Sequence, residues 1–247
     1  MSTVLVTGGT GTLGTAVVTR LRAAGHDVRV LSRHSPDFPV DLRDGSGLDA
    51  ATAGAQVVVH CASSPRGGDD AAVRHLIAAA RRAGTVTNLV YISIVGVDVV
   101  PLGYYRTKFE VERLLEASGL GVTILRTTQF HDLVARLVDT AAKLPVVLLP
   151  SGVRVQPVSV GDVADRLAEL AVPTPAGRVP DMGGPEIRTL QEWARIQLDA
   201  TGRRRRRVVG LRLAGRAYAG FRRGGNLTPS HGTGRGTFAR FLAERGR

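Results

Sequence analysis

The sequence predicts an α/β fold: a doubly wound parallel sheet flanked by helices, with a small C-terminal subdomain over the carboxyl ends of the strands. Short apolar segments of strand-like composition alternate with segments of helical periodicity, which is the pattern of parallel sheets. A glycine-rich turn joins the first predicted strand to the first predicted helix. With 247 residues and 43% hydrophobic content, the chain can bury the core that such a sheet requires.

The glycine-rich turn follows a strand predicted over Thr3–Thr7 and opens a helix predicted over Thr12–Ala24. It fits G-x-G-x-x-G from its second glycine and G-x-x-G-x-x-G from its first, and consists of Gly8, Gly9, Thr10, Gly11, Thr12, Leu13 and Gly14. Glycine permits the positive φ of a sharp turn, and it leaves room for a diphosphate that faces the helix N-terminus. In this strand–turn–helix context the motif predicts a Rossmann-type dinucleotide site rather than a plain turn.

The second strand, predicted over Asp27–Leu31, ends in Ser32 and Arg33, which bear on the choice of dinucleotide. NAD sites usually carry an acidic residue here, where it binds the ribose diol. Arginine instead pairs bidentately with a phosphate, and serine can donate a hydrogen bond to it. We therefore expect NADP(H) to be preferred over NAD(H). The alternative is that Arg33 is an ordinary solvated side chain.

Two further strand ends are expected at the ligand edge of the sheet. Val40–Asp44 is predicted to be a short third strand and its exit, with Asp41 and Leu42 at the adenine end of the cofactor. Asp41 is equally suited to cap the next turn. Gln56–Cys61 is a nearly continuous apolar run, as in strands buried on both faces. At the carboxyl end of this run stand Cys61, Ala62, Ser63, Ser64 and Pro65. We expect the first three of these residues to contact the cofactor.

The candidate chemical centre follows the fifth predicted strand, Asn88–Ile92. Ser93 ends that strand, and a helix predicted to run to Ser118 places Tyr104 and Lys108 four residues apart on one face. A free tyrosine has a pKa of about 10, which a nearby Lys⁺ and an oxidised nicotinamide would lower. Lys108 can also hold the nicotinamide ribose, and Ser93 can polarise a substrate carbonyl. The alternative is a surface Tyr–Lys pair, although Lys108 is one of only two lysines in the chain.

The sixth strand, predicted over Val122–Arg126, ends beside the expected nicotinamide. Gln129 and Phe130 follow it and are expected to line the nicotinamide ring. His131 lines the substrate cavity or caps the next helix, and we assign it no chemistry. Asp162 is expected to cap a helix that ends at Ala171.

These segments together resemble one protein family, the short-chain dehydrogenase/reductase superfamily, in its atypical, NmrA-like branch. The similarity covers most of residues 1–190 and rests on five segments: Val6–Gly14, Tyr91–Val97, Tyr104–Lys108, Glu112–Gly119 and Ile124–Phe130. The resemblance implies an NAD(P)-binding Rossmann fold. It also implies that Ser93, Tyr104 and Lys108 correspond to the catalytic serine, tyrosine and lysine of the family.

The sequence therefore predicts an NADP(H)-dependent oxidoreductase that acts on a carbonyl or alcohol. Tyr104 would be its general acid/base. The alternative is a non-catalytic NADP(H)-sensing regulator, because some members similar to this chain sense the dinucleotide and Ser93 and Tyr104 are only eleven residues apart. We expect residues 1–150 to form the dinucleotide-binding core, and residues 151–247 to return partly to that core and form a small basic lid.

Charge is concentrated in the C-terminal part of the chain. Residues 203–247 contain 13 arginines and one acidic residue, Glu244, and so carry +12, which is the net charge of the whole protein. The other residues are balanced. Within the basic part, Leu211–Phe221 is predicted to be an amphipathic basic helix, and the glycine-rich segment Gly224–Gly236 is predicted to be mobile. A basic segment suits a solvated face, an anionic substrate, an acidic partner or an anionic membrane surface. Without a helix-turn-helix pattern or interleaved aromatic residues, the sequence argues against nucleic acid.

Several classes of protein are not expected. Cys61 is the single cysteine, so no internal disulfide can form, and a reducing, cytoplasmic setting is favoured. The sequence shows no signal-peptide pattern, no apolar run near the ~18 residues of a membrane span and no clustered metal-ligand spacing. We expect a small-molecule substrate, for which an anion is suitable, and the sequence does not indicate an oligomeric state.

Overall fold

The computed structural model describes residues 1–64 and 67–246 of the chain. Pro65, in the predicted loop after the fourth strand, and Arg247 lie outside the described residues. The strands are β1 (Thr3–Thr7), β2 (Asp27–Ser32), β3 (Phe38–Pro39), β4 (Val57–His60), β5 (Asn88–Ile94), β6 (Val122–Thr127), β7 (Val146–Pro150), β8 (Arg154–Val155), β9 (Gly177–Arg178), β10 (Arg188–Thr189) and β11 (Arg207–Leu211). The helices are α1 (Thr12–Ala23), α2 (Leu48–Thr52), α3 (Asp69–Ala83), α4 (Gly103–Glu116), α5 (His131–Ala141), α6 (Val160–Leu170), α7 (Leu190–Ala200), α8 (Arg216–Arg222) and α9 (Phe238–Arg245), with a 3-10 turn at Pro229–His231.

A seven-stranded sheet with the order β3-β2-β1-β4-β5-β6-β9 organises the fold. The pairs β2–β3, β1–β2, β1–β4, β4–β5 and β6–β9 are parallel. The central strands β1 and β4 are buried along nearly their whole length because helices cover both faces of such a sheet. The predicted fold class, a Rossmann-type doubly wound sheet, is confirmed.

The chain divides into two compact units. The first, here called the sheet unit, comprises Met1–Ser93, Gly103–Arg126 and Val163–Pro180; the second unit comprises Ile94–Leu102, Thr127–Asp162 and Asp181–Arg247. The core of the sheet unit joins β1, β4 and β5 to α3 and α4, through side chains such as Leu5, Val58, Leu76, Leu89 and Leu115. The predicted division at residue 150 into a core and a lid remains a prediction.

The second unit has its own core around Trp193. Phe238 of α9 contacts the Trp193 ring at a centroid distance of 5.2 Å, and Leu242 lies in the same buried cluster. Strand β11 pairs in parallel with β7, and β10 pairs antiparallel with β8. The basic segment is therefore part of a packed structure.

Four local predictions were wrong. The third strand is Phe38–Pro39 rather than Val40–Asp44, because Asp41 closes a turn by accepting a hydrogen bond from the Arg43 backbone N–H. The helix predicted from Leu211 begins at Arg216, since Leu211 pairs with β7. Asp162 lies within α6 and instead accepts the backbone N–H groups of Arg235 and Gly236.

The fourth concerns the glycine-rich segment 224–236, which the composition suggested to be mobile. Asn226 within it is completely buried and donates to the Arg154 carbonyl oxygen at 3.0 Å. A Cβ on Gly96 would collide with the Gly225 carbonyl oxygen. Glycine here serves close packing rather than mobility.

Candidate active site

The register of the sheet brings the carboxyl ends of four strands into one row. Thr7 of β1 pairs with Leu31 of β2 and His60 of β4, and His60 pairs with Tyr91 of β5. The next residues at this edge are Gly8, Ser32, Cys61 and Ile92. In open α/β sheets ligands bind at this edge, so the predicted cofactor residues of the first, second and fourth strands lie where a dinucleotide would bind.

The glycine turn has no space for side chains at three of its positions. Gly8 has a φ of +67°, and a Cβ there would lie 2.7 Å from the Ala62 backbone nitrogen. A Cβ on Gly9 would lie 2.7 Å from Val30 Cγ1, and one on Gly14 would collide with the Gly8 carbonyl oxygen. The turn is closed by a hydrogen bond from the Gly11 N–H to the Gly8 carbonyl oxygen at 2.9 Å.

The start of α1 suits an anion. Gly11 is its N-cap and supplies no side chain, and the first turn contains no acidic residue. Thr10, Gly11 and Thr12 are exposed, whereas Leu13 packs into the core. Backbone N–H groups at a helix start and the positive end of its dipole bind phosphate. A cradle without Cβ atoms and with an uncapped helix start fits the diphosphate of a dinucleotide.

The end of β2 carries the residues predicted to select the dinucleotide. Ser32 is half-buried, and its Oγ accepts a hydrogen bond from the His34 N–H at 3.2 Å; Arg33 is exposed. Asp41 binds the Arg43 guanidinium through both carboxylate oxygens, at 3.1 and 2.7 Å. This hydrogen bonding holds the pKa of Asp41 well below its usual value, and the charge of Arg33 contributes. Leu42 is buried in the core of the sheet unit.

Tyr104 of α4 contacts the loop that follows β4. Its hydroxyl lies 2.8 Å from Ser63 Oγ, which in turn lies 2.7 Å from Asp69 Oδ2. Ser63 follows Ala62, the residue that packs against Gly8. The structure thus brings Tyr104 together with Ser63 and the glycine turn. Sequence reasoning missed Asp69, whose only signal was an acidic residue at the start of a helix beside the ligand edge.

Lys108 lies one turn after Tyr104 and is buried. Its Nζ donates to the Ile92 carbonyl oxygen at 3.4 Å and lies 4.9 Å from the centroid of the Tyr91 ring. Burial lowers the pKa of Lys108 to about 8, against the opposing charges of Asp69, Cys61 and Glu112. Tyr91 is a second residue that sequence reasoning missed. Its buried hydroxyl has no hydrogen-bond partner among the described residues.

Ser93 lies within β5, not at its end as predicted, because the strand continues to Ile94. Its residue is 1% exposed, and its Oγ has no hydrogen-bond partner in the described part of the chain. The structure does not bring this hydroxyl into hydrogen-bond contact with Tyr104 or Lys108. Its role towards a substrate stays a prediction.

The protein's own groups keep Tyr104 protonated. Burial raises the pKa of Tyr104, the negative charge of Asp69 raises it further, and the hydrogen bond with Ser63 works in the opposite direction. The sequence predicted that Lys108 and an oxidised nicotinamide would lower this pKa, but the protein group that lowers it is Ser63. Cys61 is also neutral, because burial raises the pKa of its thiol to about 12.

Gln129 and Phe130 belong to the second unit. Gln129 Oε1 accepts a hydrogen bond from Asn226 Nδ2 at 3.3 Å, and Phe130 is the N-cap of α5. His131 is buried, with Nε2 3.1 Å from the Pro157 carbonyl oxygen, and burial lowers its pKa. The predicted contacts of Gln129 and Phe130 with a nicotinamide remain predictions.

No group of three or more His, Cys, Asp or Glu side chains in residues 1–64 and 67–246 is placed to hold a metal ion. No helix in these ranges is both long and apolar enough to cross a membrane.

The parallel sheet, its glycine turn and the uncapped start of α1 define a dinucleotide-binding α/β domain. The chain belongs to the NAD(P)H-binding family, whose model matches residues 8–172. This confirms the prediction of an NAD(P)H cofactor. The matched residues contain the glycine turn, Ser63, Tyr104 and Lys108.

Solved structures share this fold over the whole chain. The NADPH-dependent quinone oxidoreductase of Escherichia coli, complexed with NADPH, is 21% identical, with a TM-score of 0.81 over 99% of this chain and 100% of that one. A nucleoside-diphosphate-sugar epimerase of Staphylococcus aureus is 18% identical, with a TM-score of 0.80 over 97% and 99%. The triphenylmethane reductase of Citrobacter sp., complexed with NADP(H), is 17% identical, with a TM-score of 0.77 over 98% and 99%. These likenesses show that the chain shares the fold of these proteins.

Curated relatives match a shorter stretch. Uncharacterized proteins of Mycobacterium tuberculosis and Mycobacterium bovis are each 39% identical over 67 residues, which are 24% of this chain. The chain spans 8% of the length of these relatives.

Proposed function

We propose that this protein is an NADPH-dependent reductase of carbonyl compounds, quinones included, with Tyr104 as the general acid. The observation that carries the proposal is the position of the Tyr104 phenol. It lies at the carboxyl edge of an NAD(P)H-binding sheet and bonds to Ser63, whose neighbour Ala62 packs against Gly8. The quinone oxidoreductase and the triphenylmethane reductase that share the fold support the choice of a reductase.

The raised pKa of Tyr104 suits its phenol to act as a general acid. A phenol that stays protonated near neutral pH can donate a proton to a carbonyl oxygen, whereas alcohol oxidation requires a base. Bound NADPH supplies the hydride. The chain's own residues orient the cofactor and deliver the proton: the glycine turn holds the diphosphate, Lys108 holds the nicotinamide ribose, and Tyr104 protonates the substrate oxygen.

Steady-state NADPH oxidation across a panel of aldehydes, ketones and quinones tests the proposal. Tyr104→Phe is expected to lower kcat by about 10²–10⁴-fold, the usual contribution of a general acid, with little change in NADPH affinity. Tyr218→Phe is the matched control, since it removes a phenol hydroxyl bonded to the Ser151 carbonyl oxygen in the second unit. Full activity of Tyr104→Phe, or the absence of turnover with every substrate, would contradict the proposal.

A non-catalytic NADP(H)-sensing protein is the second candidate. The burial of Ser93 Oγ favours it, because this side chain is the one that the resemblance assigns to the substrate. A sensor would bind NADPH and NADP⁺ with different effects on a partner protein and would reduce none of the carbonyl panel. Pull-down experiments in the two redox states distinguish it from the reductase.

A further inference from the structure

Ser63 links Tyr104 to a buried carboxylate. Its Oγ lies 2.8 Å from the Tyr104 hydroxyl and 2.7 Å from Asp69 Oδ2. Asp69 is 5% exposed and is the first residue of α3, where the helix dipole favours a negative charge. Its other oxygen, Oδ1, accepts a hydrogen bond from the Ser64 N–H at 2.8 Å. Both carboxylate oxygens are thus held in place.

The direction of these hydrogen bonds follows from the number of protons. An ionised carboxylate only accepts, so Ser63 donates its single hydroxyl proton to Asp69. The Ser63 oxygen is then an acceptor, and the Tyr104 O–H donates to it. The phenolic proton therefore has a fixed direction along a line from Tyr104 through Ser63 to Asp69.

Ser93, by contrast, does not contribute to this arrangement. It is 1% exposed, and its Oγ has no hydrogen-bond partner among the described residues. The serine that contacts the phenol stands instead after β4, thirty residues earlier in the chain. Asp69 and Ser63 are six residues apart, so one loop supplies both.

We propose that Ser63 and Asp69 are positioning residues that hold the phenolic proton of Tyr104; the proposal rests on the reductase function above. Before the reaction, the Ser63 hydroxyl donates a hydrogen bond to Asp69, and its oxygen accepts a hydrogen bond from the Tyr104 hydroxyl. When Tyr104 gives its proton to the substrate oxygen, Ser63 turns its O–H from Asp69 to the phenolate. A proton from bulk solvent, carried through water, then restores the Tyr104 phenol, so each turnover consumes one solvent proton. Ser63 and Asp69 neither gain nor lose a proton.

The charged and titratable groups around Tyr104 come from four elements. Asp69 of α3 and Tyr91 of β5 interact with Tyr104 directly. Lys108 lies one turn further along α4, and Cys61, after β4, interacts with Lys108. Burial raises the pKa of Tyr91 well above its usual value and that of Cys61 to about 12, so both are neutral. Asp69 is therefore the anion that opposes ionisation of Tyr104, and Ser63 is the hydroxyl that can stabilise the phenolate.

Nuclear magnetic resonance of labelled tyrosine tests the proposal on the full chain without turnover. The chain has four tyrosines, and Tyr104→Phe identifies the Tyr104 signal. Asp69→Asn is expected to lower the pKa of Tyr104, because the negative charge that opposes ionisation of the phenol is removed. Ser63→Ala is expected to raise it, because a donor to the phenolate is lost. Ser63→Thr keeps the hydroxyl and should leave the pKa near that of the wild type.

Turnover gives a second readout. A general acid is active only while protonated, so the alkaline limb of kcat/KM should move to lower pH in Asp69→Asn by the same amount as the pKa. An unchanged Tyr104 pKa in Asp69→Asn, or equal shifts of one sign in Asp69→Asn and Ser63→Ala, would overturn the proposal. If circular dichroism shows that Asp69→Asn does not fold, the variants of the exposed residue Ser63 supply the test. Equal pKa values of Tyr104 in Ser63→Ala and Ser63→Thr would then overturn the proposal.

Failure of the reductase function gives a different pattern. If the wild type reduces no carbonyl but the Tyr104 pKa shifts in opposite directions in Asp69→Asn and Ser63→Ala, the reductase function is disproved. The role of Ser63 and Asp69 in positioning the proton is then still supported. If the wild type is active but these pKa shifts are absent, the reductase function is supported and the proposed role of Ser63 and Asp69 is disproved.

Discussion

At the residue scale, Gly14 shows how steric limits define the nucleotide turn. A Cβ at this position would collide with the Gly8 carbonyl oxygen, which is backbone and cannot rotate away. The clash lies within the turn, so a larger residue displaces the N–H groups that face the diphosphate. The requirement for glycine is therefore a requirement of cofactor geometry.

Gly14→Ala is expected to weaken NADPH binding by at least about tenfold, corresponding to ~1.4 kcal/mol. Isothermal titration measures the affinity. Gly246→Ala is the matched control, because a Cβ there meets only the Leu242 carbonyl oxygen at an ordinary 3.6 Å. Equal affinities of the two variants would contradict the steric argument.

Arg33 is the residue through which the chain is expected to choose NADP(H). Its exposed side chain follows β2 at the ligand edge, and charge-assisted hydrogen bonds of this kind contribute about 1.5–3 kcal/mol. Arg33→Ala should therefore raise the Kd for NADPH by roughly 10–100-fold and leave that for NADH nearly unchanged. Arg22→Ala, at an exposed position in α1, is the control. A parallel loss of both cofactors would show that Arg33 does not read the phosphate.

The sequence predicted some site residues well and others not at all. The glycine turn and the pair Tyr104 and Lys108 were predictable because each is a local pattern, in which the spacing along the chain determines the structure. The contact of Ser63 with Tyr104 joins residues 41 apart, and the ring of Tyr91 meets Lys108 across two elements. Such contacts depend on how elements pack, which single-sequence patterns do not record.

At the element scale, a buried ion pair joins α4 to β6. Arg126 Nε donates to Glu112 Oε1 at 2.8 Å and Nη2 donates to Oε2 at 2.5 Å, with both side chains at most 4% exposed. A buried pair contributes little net stability relative to apolar residues, but removal of one partner leaves a charge without compensation. The pair therefore fixes the helix that carries Tyr104 against the sheet.

Glu112→Leu is expected to lower the free energy of unfolding by about 3–5 kcal/mol. The double variant Glu112→Leu/Arg126→Met should recover most of that loss, because no unpaired charge remains. Urea denaturation followed by circular dichroism measures both. Additive losses in the double variant would contradict this account.

The lengths of elements were predicted best where they are closed by local signals. Strand β1 has the predicted bounds, since the glycine turn ends it. Strand β5 exceeds its prediction by two residues, and this moves Ser93 from a strand end into the strand. Pairing with neighbours decides such extensions, and the neighbours of a strand are a property of the sheet.

At the scale of the whole molecule, stability should depend on pH through buried neutral histidines. His60 Nδ1 lies 2.7 Å from Thr7 Oγ1 in the core of the sheet unit. Burial lowers the pKa of His60 from 6.5 to about 3. The unfolded chain then binds a proton that the folded chain excludes. The corresponding stability is complete above pH 6.5 and decreases as the pH falls.

His60 alone should contribute a slope of about 1.4 kcal/mol per pH unit between pH 6.5 and about 3. His60→Asn should remove this slope, and His34→Asn, at an exposed position, should retain it. Hydrogen exchange of the β1 and β4 amides reports the sheet unit. The fluorescence of Trp193, the single tryptophan, reports the second unit. An unchanged slope in His60→Asn would show that other groups govern acid unfolding.

The concentration of charge was visible in the sequence, but its structural setting was not. Phe238 and Leu242 stand within the basic segment and are 1% and 7% exposed in the core of the second unit. Deleting residues 203–247 would therefore remove part of a hydrophobic core together with the charge. Replacing exposed arginines such as Arg203, Arg204 and Arg205 separates the two effects.

The two compact units alternate along the chain, which crosses from one to the other five times. Each unit consists of three separate stretches of the chain, so no cut at a single peptide bond can divide one unit from the other. A protease that cuts one exposed loop therefore releases neither unit as an intact fragment. Gene fusion or recombination at one breakpoint likewise cannot transfer the nucleotide-binding part alone.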